Sequence, residues 1–285
     1  MKHFFYTFIL SLAAFAVSSC DSHTDVDGDL LIGFNDNPTT GTTPTTKTLK
    51  KMVSTDSDGE VSTFNYNYSS GKLSSVSYVA PGISADYTLT YDGNNIIKMM
   101  VVAVESGETT TTNLDFTYNG SKLEKATGTM QIEGEEASQY ETTFTYNAAG
   151  KISKIYTALK TEGVETLSYE SDLVFTGSNI TQWKHTITAR NTGPITIPPI
   201  IFQSTLSNYD SYRNPLATLP VNFTLASAHF MTETNSIAGL SLNNYKSITI
   251  ATDLGNETYN YTYLYDSAGY PTSATSTEGQ LTFTY

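Results

Sequence analysis

The chain has 285 residues, of which 39% are hydrophobic and 12% aromatic, and it carries a formal charge of -13 at pH 7. A surface so acidic repels phosphate backbones, which argues against a nucleic-acid partner, and it repels anionic lipid headgroups as well. With one cysteine in the whole sequence, no disulfide framework exists, and burial and strand pairing must hold the fold.

In chain order, Lys2 and His3 open a basic start, an apolar run extends from Phe4 to Val17, and Ala16-Val17-Ser18-Ser19-Cys20 closes it. That order predicts a secretory signal peptide over residues 1–19 with a lipoprotein cleavage box. The apolar run falls short of the ~20 residues that a spanning helix needs. The segment resembles bacterial lipoprotein signals. The resemblance implies lipidation of Cys20, membrane attachment through that lipid, and an outer-membrane lipoprotein of a Gram-negative bacterium, periplasmic or surface-exposed.

Residues 20–47 read as an acidic and then Thr-Pro-rich tether (Asn37-Pro38-Thr39-Thr40-Gly41-Thr42-Thr43-Pro44), a composition that cannot bury a core. A coil of this length reaches about 28 Å. Leu30-Leu31-Ile32-Gly33-Phe34 interrupts it as an apolar island suited to a short strand packed on the domain or to a partner. The acidic start (Asp21, Asp25, Asp27, Asp29) resembles signals that send some lipoproteins to the outer face of the outer membrane, and it reads equally well as a solvated spacer. Asp25-Val26-Asp27-Gly28-Asp29 and Asp56-Ser57-Asp58-Gly59-Glu60 both begin like calcium loops. Each lacks the sixth-position glycine and the distal Glu, so a linker and a hairpin turn are expected instead.

From residue 48 to 285 a single β domain is expected, because one unit recurs at intervals of about 22 to 30 residues in its early copies. The copies are Tyr68-Ser69-Ser70-Gly71-Lys72-Leu73, Tyr91-Asp92-Gly93-Asn94-Asn95-Ile96, Tyr118-Asn119-Gly120-Ser121-Lys122-Leu123 and Tyr146-Asn147-Ala148-Ala149-Gly150-Lys151-Ile152. Phe175-Thr176-Gly177-Ser178-Asn179-Ile180 is a variant, and Tyr265-Asp266-Ser267-Ala268-Gly269-Tyr270 closes the series. In each unit an aromatic ends one strand, Asn, Asp and Gly make a tight reversal, and an apolar residue opens the next strand. Second turns such as Pro81-Gly82, Ser106-Gly107, Glu133-Gly134-Glu135 and Glu162-Gly163 alternate with them. Period-two alternation places Phe64, Tyr66 and Tyr68 on one face, and likewise Tyr259, Tyr261, Tyr263 and Tyr265. The prediction is all-β: a large antiparallel meander of about sixteen hairpin-connected strands, strongly curved or closed like a barrel. One insertion near 210–244, irregular or short-helical, is expected to cover or plug the aromatic side.

The units resemble YD (RHS-type) repeats. Taken with the lipobox, the tether, Tyr209-Asp210-Ser211-Tyr212-Arg213-Asn214-Pro215-Leu216 and Asn243-Asn244, they are similar to a family of bacterial lipoproteins of unknown function with a porin-like β fold. The resemblance covers about residues 48 to 285 and implies fold and location; it implies no activity. The ending Gln280-Leu281-Thr282-Phe283-Thr284-Tyr285 alternates as membrane barrels often do, but Tyr runs through whole strands here, whereas such barrels keep it at interfacial girdles.

Chemistry is sparse. His23, His185 and His229 stand at no metal-ligand spacing, no phosphate loop or nucleophile elbow is present, and Glu135-Glu136 falls in a turn. No cofactor, metal or catalytic residue is therefore expected, and the protein is read as a non-enzyme. Trp183 and His185 share a strand face, suited to stacking on a sugar but more often core plus rim. Asp266-Ser267-Ala268 matches a short bacterial O-glycosylation pattern, although the hairpin already explains it. The expected function is a monomeric surface binding module for extracellular glycan or protein. The alternatives are an envelope-assembly protein and a carrier of an apolar ligand within the barrel.

Overall fold

The computed structural model describes residues 47–190, 198–228, 237–252 and 255–285. The expected signal segment, Cys20, His23, the expected tether as far as Thr46, and His229 lie outside them. In chain order the strands are β1 (Lys51–Asp56), β2 (Val61–Ser69), β3 (Lys72–Ala80), β4 (Ile83–Asp92), β5 (Asn95–Glu105) and β6 (Glu108–Asn119). Then come β7 (Lys122–Ile132), β8 (Ser138–Tyr146), β9 (Ile152–Thr161), β10 (Val164–Thr176), β11 (Asn179–Ala189) and β12 (Ile200–Arg213). After the insertion follow β13 (Asn243–Thr252), β14 (Gly255–Asn260), β15 (Thr262–Tyr265), β16 (Pro271–Ser276) and β17 (Gly279–Thr284).

Each strand pairs antiparallel with its successor from β1 to β14 and from β15 to β17. β17 pairs back onto β1, with Lys51 opposite Thr284 and Asp56 opposite Gly279. The 17-stranded sheet is thus a nearly closed barrel. β14 and β15 are one run of chain interrupted at Tyr261, whose N–H bonds the Lys246 carbonyl at 2.8 Å. The first half of that run pairs with β13 and the second with β16. Counted as one stave it makes the total even, as a ring of wholly antiparallel neighbours requires. Closure removes the exposed edges that a sheet of this size would otherwise present to other chains.

The alternation sorts the two faces. Phe64, Tyr66, Val76, Tyr87, Met99, Leu114, Phe116, Phe144, Ile155 and Trp183 are buried and belong to one apolar core inside the ring. The outward positions between them carry mainly Thr, Asn, Lys, Asp and Glu, with Val79, Met100, Val174, Ile201 and Leu264 exposed among them. Ion pairs span neighbouring strands across the outer wall: Lys98–Asp115 at 2.7 Å, Lys125–Glu141 at 3.3 Å, and Lys154 to Glu170 at 3.0 Å and Asp172 at 3.3 Å. Burial raises the Glu141 carboxyl but Lys125 and Lys160 outweigh it, leaving the group below its ordinary value. Exposed pairs of this kind add only ~0–1 kcal/mol each, so their importance is the side on which they lie.

The insertion lies inside the ring. A 3-10 turn, Pro215–Thr218, starts on Asn214, whose side-chain oxygen accepts from the Leu216 N–H. Proline at the first position costs nothing there, because that N–H would be unbonded in any case. Helix α1, Val221–Ser227, follows. Phe223 is 1% exposed and meets the Tyr87 ring edge-on at 6.2 Å. Leu225, Ala226, Ile237 and Ala238 are buried in the same core. The expected irregular segment begins later than residue 210, since β12 continues to Arg213 past an irregularity between Tyr209 and Arg213. The apolar-carrier alternative needs a continuous lumen, and α1 stands in that space. Each large side chain so buried contributes about 1.5–3 kcal/mol.

Candidate functional site

Because hairpins alternate between the two ends of the barrel, every Tyr-Asn/Asp-x-Gly unit turns at one end, here called the repeat rim. The Ser69–Lys72 reversal explains the glycine: Ser70 and Gly71 both take positive φ, 51° and 77°, as a two-residue hairpin turn demands. Tyr118 Oη donates to the Ile96 carbonyl at 2.7 Å and Tyr146 Oη to the Leu123 carbonyl at 2.9 Å. Each acceptor is the apolar residue that ends the preceding unit and opens its second strand. Tyr68 does the same to Leu49 at 2.9 Å. Burial pushes Tyr68 and Tyr118 up to about 12, so these phenols stay protonated donors at physiological pH.

The lysine of a unit points the other way, toward the next hairpin. Lys72 Nζ bonds the Gly93 carbonyl and lies 5.4 Å from the Tyr91 ring centroid. Lys122 lies 5.1 Å from the Tyr146 ring, and Lys151 bonds the Gly177 carbonyl 5.2 Å from the Phe175 ring. Cations over rings contribute ~0.5–1 kcal/mol at exposed sites. The repeat is therefore a stitch: tyrosine back, lysine forward. The second unit has Asn95 where the first, third and fourth have lysine, and Tyr91 Oη is buried without a hydrogen-bond partner.

The Asn-Pro and Asn-Asn motifs form a latch for the plug. Asn214 Nδ2 donates to the carbonyls of Ala238 (2.7 Å) and Ser241 (3.1 Å). Asn243 and Asn179 exchange bonds, Asn243 N–H to Asn179 Oδ1 at 3.0 Å and Asn179 Nδ2 to Asn243 Oδ1 at 3.2 Å. Asp210 accepts from Tyr265 Oη, from Asn244 Nδ2 at 3.1 Å, and from the backbone N–H groups of Tyr212 and Asn244 at 3.0 and 3.2 Å. Burial raises the Asp210 carboxyl above its ordinary value, opposed by these donors. The network ties the segments entering and leaving the plug to each other and to β11.

Trp183 and His185 do share a face, and it is the inner one. Trp183 is 8% exposed with its Nε1 lacking a partner, so its flat face packs in the core and presents no open platform. His185 Nδ1 lies 3.0 Å from Ser171 Oγ, with the Trp183 ring at 5.7 Å and the Tyr169 ring at 6.2 Å. Burial lowers His185 to about 4, so it is neutral at pH 7. The tyrosine row also stacks inside, Tyr261 to Tyr263 at 6.2 Å and Tyr263 to Tyr265 at 6.1 Å, and the exposed Tyr212 stacks on Tyr265 at 4.1 Å.

The remaining candidates are turns. Glu135 and Glu136 are exposed between β7 and β8. Asp56 caps its own hairpin, accepting from the N–H groups of Asp58 at 3.0 Å and Glu60 at 2.8 Å. Asp266 accepts from Ala268 N–H at 2.8 Å and Tyr270 N–H at 3.0 Å and pairs with Lys47. Among the described residues no group of three or more His, Cys, Asp or Glu is placed to hold a metal ion, and no helix is long and apolar enough to cross a membrane. One inner feature escaped the sequence: Thr142 Oγ1 and Thr157 Oγ1 meet at 2.7 Å beside the buried Tyr140 hydroxyl, which bonds both. Threonine occupies both faces of these strands, which hides a buried polar layer from any pattern of apolar residues.

No protein-family model and no curated protein matches the chain. Its fold is similar to that of a porin-like protein from Bacteroides vulgatus, with 12% identity, a TM-score of 0.52 and coverage of 84% of this chain and 99% of that one. A porin-like protein from Bacteroides uniformis is similar over 83% of this chain and 96% of its own, with 16% identity and a TM-score of 0.49. At such identity the likeness to the Bacteroides vulgatus protein is one of fold: both chains form the same kind of nearly closed antiparallel barrel.

Proposed function

We propose that this protein is a non-enzymatic module of the bacterial cell envelope, held by lipid on Cys20, which displays a water-immersed barrel for binding a carbohydrate or a protein outside the cell. The observation that carries the reading is the polarity of the wall. Lys98, Asp115, Lys125, Glu141, Lys154 and Asp172 face outward between the rims, while rings face inward and Phe223 packs among them. A lipid-facing band would hold those lysines in hydrocarbon at a cost of ~2–4 kcal/mol each at the midplane. A pore would need a polar lumen where the core lies. Such a barrel suits a tethered domain in water, with its outer wall and rims left for contacts.

Two measurements test the reading. Mass spectrometry of the mature protein should find acyl chains on Cys20; an unmodified Cys20 in full-length material removes the anchor. A glycan array and a pull-down with the mature chain should each be run, and silence in both would count against a binding module. A deletion that weakens the envelope while both screens stay silent favours the second reading, an envelope-assembly protein.

A further inference from the structure

The net charge of -13 hides a separation. Turns at the end opposite the repeat rim carry carboxylates: Asp56, Asp58 and Glu60 at and after the end of β1, then Glu133, Glu135 and Glu136 after β7, all but Asp56 of them outside the strands and all exposed. The repeat rim carries an excess of cations instead, against the exposed Asp92 and Glu124 and an Asp266 paired with Lys47. Lys50 and Lys51 lie at the start of β1, and Lys72, Lys122 and Lys151 follow the even-numbered strands. Staves of about ten residues, rising ~3.3 Å each and tilted ~40°, set the rims roughly 25 Å apart. The Debye length in physiological salt is about 8 Å. Each rim therefore presents its own charge to a nearby surface, and the carboxylates at the far end do not cancel the lysines.

The chain also enters the barrel at the repeat rim. Lys47 pairs there with Asp266 and lies 5.8 Å from the ring centroids of both Tyr270 and Tyr285. Tyr212, 44% exposed, stands at the same end, where a Cβ on the turn residue Gly269 would come within 3.1 Å of its ring. Amphipathic rings and lysines together are the residue types that settle at a lipid headgroup layer.

We propose that the repeat rim is the face this domain turns toward an anionic lipid surface, with the acidic rim directed away from it. The proposal deepens the lipid-anchored reading and rests on it for its setting. Attraction of a basic patch to anionic headgroups operates within a Debye length and is lost in high salt.

The test holds the mature chain, residues 20–285 with Cys20→Ser, on vesicles through an N-terminal hexahistidine and a nickel-chelating lipid. The outcome is then independent of acylation, which mass spectrometry decides separately. A donor dye is placed on Ser121→Cys at the repeat rim or on Glu135→Cys at the opposite rim, and an acceptor in the lipid reads proximity. On phosphatidylcholine vesicles containing phosphatidylglycerol, the Ser121 site should transfer about two-fold more than the Glu135 site. That excess should shrink toward equality on pure phosphatidylcholine, in 1 M salt, and in Lys50→Glu/Lys51→Glu, two exposed positions outside the stitching contacts, with circular dichroism confirming the fold. Equal transfer from the two sites on anionic vesicles overturns the proposal. So does an excess that neither salt nor lipid charge alters, since the link alone would then set the orientation.

Discussion

Replacing Phe223 by alanine removes the ring that α1 drives into the barrel. The side chain is 1% exposed and edge-on to Tyr87 at 6.2 Å, so the change deletes a fully buried aromatic and leaves a cavity walled by strands that cannot easily collapse. Substitutions of this kind cost about 3–5 kcal/mol. In a domain of this size 1 kcal/mol shifts Tm by roughly 2–4 °C, which predicts a fall of about 6–20 °C. Val221→Ala is the internal control: it lies two residues away on α1 but is 57% exposed, and it should change stability by no more than ~0.5 kcal/mol. Thermal unfolding followed by circular dichroism separates the two. A dry apolar cavity also takes up small hydrocarbons, so benzene should restore part of the lost Tm in Phe223→Ala and do nothing to the parent. If Phe223→Ala melts with Val221→Ala, the helix does not fill the core and the plug is wrongly placed.

Asn214→Ala strips the latch of three hydrogen bonds and leaves the Ser241 carbonyl and the Leu216 N–H unpaired, the Ala238 carbonyl keeping its bond from the Ser241 N–H; at ~1–3 kcal/mol for an unsatisfied buried group, denaturant titration should show a loss of several kcal/mol, and a loss under 1 kcal/mol contradicts the latch. Gly128→Ala would place a Cβ 1.7 Å from the Asn113 carbonyl oxygen on β6, so the variant should express poorly or melt far lower than Ser121→Ala at an exposed turn. For His185 the sign follows from its folded value of about 4 against an ordinary 6.5: between those values the unfolded chain binds a proton that the fold refuses. That stability is complete above pH 6.5 and drains as the pH falls toward 4. Denaturant midpoints should therefore drop less from pH 7 to pH 4.5 in His185→Leu than in the parent. Asp210, whose carboxyl is raised, slopes the opposite way but is present in both chains, so equal slopes would contradict a buried neutral histidine.

Much of the fold could be read from alternation. Tyr66 and Phe64 against Asn65 and Asn67, or Leu114 and Phe116 against Asp115 and Thr117, announce strands with one dry face, and both faces fall where that pattern puts them. The Tyr-Asn/Asp-x-Gly units reveal the hairpins because positive φ requires particular residues at fixed offsets. Their chemistry was less visible: that Tyr118 bonds a carbonyl one hairpin back, and Lys72 one hairpin forward, depends on the separation of neighbouring staves, which no single unit encodes. The latch is legible only as an odd motif. Asp210 and Asn244 are far apart in sequence and make sense only once both ends of the plug meet. Gly128 gave no signal, since it lies in a strand with ordinary φ and its need for a bare Cα comes from the approach of β6. The site remains the least legible part for a physical reason. Binding by an outer wall or a rim needs no buried constellation of unusual residues, so periodicity and spacing have little there to mark.

The central claim is that this barrel is apolar inside and wet outside, and single-cysteine labelling along β6 tests it most directly. In a chain of residues 20–285 with Cys20→Ser, held on vesicles by an N-terminal hexahistidine, Asn113→Cys and Asp115→Cys occupy exposed outward positions, and Thr112→Cys and Leu114→Cys the buried inward ones beside them. A charged, water-soluble maleimide should modify the first pair quickly in native protein on vesicles and leave the second pair untouched until denaturant is added. Rapid labelling of residues 112 and 114 with protection of 113 and 115 by lipid would mean a water-filled pore in a membrane, and would contradict the account.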